Sequence, residues 1–378
     1  MATVSERDYF DHAAGAPLVE VARAAMDAVW RLPGNPSSLH TAGRSARRLL
    51  EESRETLAGC LGAHPTEIVF TSGGTEANNL ALLGASSRPG RPRLAIGATE
   101  HPSVTGVIER LPGRVDVLAV DRDGRLQTSG LDVITERTAL VSTMLVNNET
   151  GVAQPLEQVL AAARAADAWT HTDAVQAFGH LPLDFADLGV DAMTVTAHKL
   201  GGPVGIGALV VRRDLALAAP GFGGGQERKV RSGTAMVALA VGFAAAARAA
   251  VGDRETEAAR LGVLRERLAA GITDSIVDVM VNGTAPVSPA VLNVTFTGCR
   301  ADDLLLMLDA AGLDCSTGSA CTAGVHQPSE VLLAMGRSEA EASSSLRFSF
   351  GPTTDDAAID RLMAALPQAV ARARAAAL

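Results

Sequence analysis

The stretch EIVFTSGGTEANNLALLG (residues 67–84) runs from β-branched and aromatic residues through a glycine turn into apolar residues at helical spacing. It reads as strand, tight turn and helix. The same change recurs along the chain. RLAIGATEHPSV (93–104) is a strand entering a turn, and VDVLAVD (115–121) and ALVSTMLVNNETG (139–151) are further strands. The helix PLEQVLAAARAADA (155–168) leads into the strand WTHTDAVQ (169–176), and AMTVTAHKLGGPVGIGALVVRR (192–213) is strand, turn and strand. Strands alternating with helices predict a mostly parallel sheet covered on both faces. Their continuous apolar runs agree, because such a sheet has no solvent face.

LVEVARAAMDAVW (18–30) and TAGRSARRLLEESRETLAGCLG (41–62) read as amphipathic helices. Beyond about residue 234 the alternation changes. Helical stretches at 234–251 and 253–272 lead to a strand near 290–296, a helix at 301–312, a helix at 329–336, a strand at 345–350 and a last helix after Thr354. The expectation is a large α/β domain over 1–252, its N-terminal segment packing with a smaller α+β domain over 253–378.

A chain of 378 residues suits one large and one smaller domain. With 47% hydrophobic and 20% charged residues it is globular, and 3% aromatics leave Ala, Val and Leu to build the core. A net charge of −9 argues against a nucleic-acid groove or an anionic membrane as main partner. There is neither an apolar run of spanning length nor a signal-peptide core in MATVSERDYFDHAAGAP. Cys60, Cys299, Cys315 and Cys321 form no C-x-x-C pair and no zinc pattern, so free thiols in a reduced cytoplasm are expected and no metal is.

Lys199 is one of only two lysines, the other being Lys229. It follows a β-branched strand and precedes a Gly-Gly turn, where open α/β sheets place ligand sites. Arginine supplies charge but cannot form a Schiff base, so a retained lysine here points to amine chemistry and to pyridoxal phosphate. That cofactor needs a phosphate cup, a carboxylate for its pyridine nitrogen and a group over its ring. TSGGTEANN (71–79) offers a helix N-terminus as the cup. Asp173 offers the carboxylate, although a helix N-cap explains it equally well. Gln176 and Asn148 stand at strand ends, and His101 either stacks on the ring or caps a turn. Cys321 stands alone in STGSACTAGVHQPS (316–329), among small residues with no apolar periodicity to bury it.

The ordered set TSGGTEANN, TEHPSV, VNNETG, HTDAVQAFGHLPLD, TAHKLGGPVGIGAL, GGGQERKVRSGT, STGSACTAGVHQPSEVLLAMG and SLRFSFG resembles the cysteine desulfurases of the NifS/IscS type, from residue 10 to the last helix. These belong to the class V aminotransferase superfamily of fold-type I pyridoxal-phosphate enzymes. The resemblance implies a large domain with a mostly parallel seven-stranded sheet and a smaller α+β C-terminal domain. It implies that Lys199 forms the Schiff base and moves the Cα proton, and that Asp173 pairs with the pyridine nitrogen. It assigns Gln176 and Asn148 to the phenolic oxygen or substrate, and His101 to the ring and a thiol proton. Gly74, Thr75, Thr196 and His198 would hold the phosphate, joined by Thr234 of the other subunit in a homodimer with shared active sites. Arg347 would clamp the substrate carboxylate. Cys321 would take the sulfur of L-cysteine as a persulfide, leaving L-alanine, and pass it to an acceptor such as an iron–sulfur scaffold or a thiolation enzyme. Gly15 and Ala16 stand where the family usually has two threonines, Thr196 where serine is common, and Gly74 where alanine is frequent.

The other three cysteines read as buried, inert thiols. Two alternatives remain open from the sequence. One is another pyridoxal enzyme of the fold, an aminotransferase or a selenocysteine lyase. The other is a non-catalytic scaffold for sulfur transfer.

Overall fold

A computed structural model describes residues 7–318 and 327–376. Its strands, in chain order, are β1 (Asp8–Tyr9), β2 (Ile68–Thr71), β3 (Arg93–Gly97), β4 (Val115–Leu118), β5 (Thr138–Ser142), β6 (Trp169–Asp173), β7 (Ala192–Thr196), β8 (Gly207–Val211), β9 (Val279–Asn282), β10 (Val291–Phe296), β11 (Leu313–Asp314) and β12 (Ser345–Ser349). Seven form one sheet in the order β2-β8-β7-β6-β5-β3-β4. β3 to β7 pair in parallel, whereas β8 runs antiparallel to both β7 and β2. The turn carrying Lys199 therefore joins β7 to β8 as a direct hairpin-like return.

Side chains alternate across this sheet with the period of two that strand geometry imposes. Ala208 and Val210 of β8 face one core with Leu57, Leu61, Phe178, Val195 and Phe243. Leu209 and Val211 face the other, with Ala77, Leu80, Leu94, Ile96 and Leu140. Both faces are thus covered, as the apolar runs predict. His171 ties the central strands together: its ring nitrogens meet Ser142 Oγ at 2.8 Å and Thr194 Oγ1 at 3.0 Å. Burial pushes it down to about 3, so it stays neutral.

The helices predicted at 234–251 and 253–272 are one helix, Val237–Ser275, of 39 residues. Its first half, Leu239 to Ala247, packs in the core of the large sheet, and Leu261 to Ile272 pack in a separate core. The apolar face changes partner midway, which the sequence pattern shows as a break. A boundary drawn at residue 252 falls inside this helix. The second core joins the antiparallel sheet β12-β10-β9 to the helices Ala301–Ala310 and Asp356–Ala376. Phe10 enters it edge-on to Phe348 and Phe350, with ring centroids 6.5 and 6.3 Å away, and β1 pairs with β11. Among the described residues no helix is long and apolar enough to cross a membrane.

Candidate active site

The carboxyl ends of β3, β6 and β7, the start of the helix Gly74–Ala85 and the rim of the second core converge on one cavity of about 320 Å³. Gly74, Thr75, His101, Asn148, Asp173, Gln176, Thr196, His198, Lys199 and Arg347 line it. The topology explains the convergence, since parallel strands deliver their C-terminal loops to a single edge. Thr234 is exposed and stands outside this cavity. Cys321 lies outside the described residues.

Lys199 is laid against the N-terminal segment. Its Nζ donates to Ala13 O at 2.5 Å and to Ala14 O at 2.7 Å. Backbone bonds from Ala16 N to His198 O (2.8 Å) and from Val19 N to Gly201 O (2.9 Å) dock that segment on the lysine turn. Gln176 Nε2 also donates to Ala13 O, at 3.0 Å. Burial, then repulsion from Arg347, pull the Lys199 ammonium down from 10.5 to about 8, against Asp11 and Asp173. Burial and Lys199 likewise push His198 down to about 4, so it is neutral. Its Nδ1 lies 3.1 Å from Thr196 Oγ1.

Asp173 opens a turn, not a helix, and both of its oxygens are held. Oδ1 accepts from Val175 N at 2.9 Å, while Oδ2 accepts from Asn78 Nδ2 at 2.7 Å and the residue lines the cavity. Asn78 was not singled out in the sequence. Its Nδ2 also donates to Ser103 Oγ at 2.8 Å, which leaves the Ser103 hydrogen for His101 Nδ1, 2.8 Å away. The backbone N–H of Ser103 points at the same Nδ1, at 3.1 Å. Nδ1 is therefore an acceptor. Burial lowers the histidine, so the neutral ring carries its proton on Nε2. An amide four residues into a helix that begins at Gly74 faces back toward the strand ends; that helical phase is the signal that could have found it.

The glycine turn forms a cup. A Cβ at Gly207, where β8 begins, would lie 2.8 Å from the carbonyl carbon of Gly73. Only glycine lets β8 press the turn this closely and aim the first amides of the helix at the cavity, where they have no intrahelical acceptor. Opposite stands Arg347, 4% exposed. Its Nη1 donates to Asn148 O at 2.9 Å and its Nη2 to Asp11 Oδ1 at 2.7 Å, so Asp11 takes one arm of the fork. Arg347 Nε and Asn148 Oδ1 are buried without a partner among the described residues. Two orphaned polar atoms in a cavity-lining pair mark a site shaped for a polar ligand.

The remaining described thiols are suppressed. Burial pushes Cys60 and Cys299 up, and burial with Asp11 and Asp314 pushes Cys315 up to about 12.

Comparison with known proteins identifies the family and the fold. The aminotransferase class-V family profile matches residues 8–362. An IscS-like cysteine desulfurase from Mycobacterium tuberculosis is 47% identical, with 98% of each chain covered. Among solved structures, a NifS-like protein superposes with a TM-score of 0.90 at 30% identity, over 97% of this chain and 100% of that one. A structure described as SspA in complex with cysteine gives 0.79 at 33% identity, over 91% and 99%. Class V aminotransferases and their desulfurase members are pyridoxal-phosphate enzymes. With its full-length match, its sheet and its convergent lysine, aspartate and arginine, the chain belongs to the class-V aminotransferase family, in its cysteine desulfurase branch.

Proposed function

We propose that this protein converts L-cysteine to L-alanine with bound pyridoxal phosphate and takes the sulfur onto Cys321 as a persulfide. The observation that carries the reading is Lys199: an amine lowered to about 8 shares one cavity with Asp173, His101 and Arg347. The donor set fits the cofactor. The helix start at Gly74 and Thr75, with Thr196 and His198, would hold the phosphate, and Asp173, fixed by Asn78 and Val175, would keep the pyridine nitrogen protonated. Asn148 and Gln176 would meet the phenolic oxygen. When bound, pyridoxal phosphate supplies the electron sink that acidifies the substrate Cα.

The residues supply the rest. Lys199 Nζ carries the proton at Cα. Arg347, whose Nε has no partner among the described residues, holds the substrate carboxylate. His101, neutral with its proton on Nε2, serves the thiol proton. The Cys321 thiolate attacks the substrate sulfur, since the thiolate is the nucleophile. Enzyme thiol plus cysteine thus gives enzyme persulfide plus alanine, with no outside oxidant.

The working unit is a homodimer in which Thr234 completes the partner's phosphate cup. Trp30, Leu32 and Met236, each more than half exposed, line one apolar groove beside Thr234, and Leu39 and Phe222 are more exposed still. The persulfide passes to an acceptor protein such as an iron–sulfur scaffold or a thiolation enzyme, in a reduced compartment. Selenocysteine lyase and aminotransferase activities are the competing readings. The test is alanine and sulfide release from L-cysteine under a thiol reductant, in wild type and Cys321→Ala. Equal amounts of both products, lost in the variant while the cofactor's visible absorbance stays, are expected. Undiminished alanine release in the variant would sink the role of Cys321.

A further inference from the structure

One buried carboxyl near the site is not used by this chemistry. Glu149, 6% exposed, follows Asn148 in the loop after β5. Its backbone is fixed, because Asn147 Oδ1 accepts from the N–H groups of Glu149 and Thr150, each at 2.9 Å. Its Oε2 accepts from Ser329 Oγ at 2.5 Å. Ser329 in turn caps the helix Glu330–Ala334, its Oγ accepting from Leu332 N at 3.1 Å. On the other side lies Gly318: a Cβ there would stand 3.0 Å from the same Oε2, at a backbone φ of +84°. The chain before Gly318 is anchored as well, Ser316 exchanging backbone bonds with Arg347 at 2.7 and 3.2 Å.

Gly318 and Ser329 are the flanks of segment 319–326, which carries Cys321. Ser329 is bonded to the Glu149 carboxylate, one residue from the cavity-lining Asn148, while Gly318 only abuts it, its own N–H donating to Ser316 Oγ at 3.0 Å. Burying a carboxyl costs free energy that an apolar or amide side chain would avoid. Burial accordingly pushes Glu149 up from the usual carboxylate range, against Ser329 and Arg347.

We propose that Glu149 is a positioning residue for sulfur transfer: its hydrogen bond fixes Ser329, in the chain that follows segment 319–326, and its carboxylate leaves no room for a side chain at the cavity-lining Gly318 that precedes it. The inference rests on the desulfurase reading above. In the step it serves, the Cys321 sulfur forms a bond to the substrate sulfur, the Cβ–S bond breaks, and its electron pair stays on Cβ, which is protonated to give alanine. A displacement of the attacking atom by about 1 Å costs such a step up to about 10²-fold.

The test uses full-length, cofactor-loaded Glu149→Ala, Glu149→Gln, Ser329→Ala and Ser329→Thr. Single-turnover persulfide formation on Cys321 is followed by mass spectrometry, beside the cofactor's spectral response to cysteine and the melting temperature. Glu149→Ala and Ser329→Ala should form persulfide at least about tenfold more slowly, with the response to cysteine half-saturating at the wild-type concentration. The double variant should be no slower than the worse single one, and Ser329→Thr, which keeps the hydroxyl, should recover the rate. Glu149→Gln, whose amide oxygen can still accept from Ser329, should lose less than Glu149→Ala. Wild-type rates in Ser329→Ala and Glu149→Ala would overturn the proposal, as would losses that track cofactor release or melting. Should wild type itself form no persulfide on Cys321, the desulfurase reading falls, and this inference with it.

Discussion

Lys199 offers a direct titration. Burial and Arg347 bring its ammonium from 10.5 to about 8. At pH 7 such an amine is about 9% free, whereas an ordinary lysine is about 0.03% free, a gain of about 300-fold in the reactive form. The chain's only other lysine is the exposed Lys229, so two lysine peptides account for all side-chain amine labelling. Cofactor-free protein would be labelled with trace acetic anhydride from pH 6 to 11 and the Lys199 peptide quantified by mass spectrometry. Labelling should rise with a midpoint near 8, and Arg347→Gln should move that midpoint up by removing a neighbouring cation. The linkage sign is fixed. The folded protein loses this proton before the unfolded chain does, so the cost of burying the ammonium is full below about pH 8. It is relieved as pH rises toward 10.5, and stability gains from this group across that window. A Lys199 midpoint at 10.5 would refute the reasoning.

Asp173→Asn turns an acceptor of two hydrogen bonds into a group that must face Asn78 Nδ2 or Val175 N with its own amide hydrogens. Leaving a buried donor unpaired costs about 1–3 kcal/mol, so cofactor affinity by equilibrium dialysis should fall roughly 5- to 150-fold, and turnover with it. Arg347→Lys cannot serve Asp11, Asn148 and a substrate carboxylate with one ammonium; KM for cysteine should rise about 10- to 100-fold with cofactor affinity kept. Mixing Thr234→Asp chains with Lys199→Ala chains should restore activity, because a hybrid dimer with shared sites holds one intact site of two. No recovery on subunit exchange would count against sharing.

The sheet was legible because its strands are unbroken apolar runs that end in polar turns, and those turns carried nearly all the candidate residues. Parallel strands put the ends at Asp173 and Thr196 on one edge, so identifying the strands identified the cavity. What stayed hidden depends on phase or on backbone. Asn78 is one of two adjacent asparagines in a helix, and only the start of that helix tells which one meets Asp173. Ala13 and Ala14 hold Lys199 through their carbonyls, which leave no mark on residue type. The long helix was divided because its apolar face changes partner between Ala247 and Leu261. β1, β9 and β11 have two to four residues each and exist only through distant pairing.

The central claim is that sulfur from L-cysteine comes to rest on Cys321. Full-length protein loaded with pyridoxal phosphate would be mixed with L-cysteine labelled with heavy sulfur, quenched with an alkylating agent and digested for mass spectrometry. One labelled sulfur on the Cys321 peptide, with alanine formed in equal amount and no label on Cys60, Cys299 or Cys315, is the expected result. Alanine without label on Cys321, or label carried by another cysteine, would contradict the account.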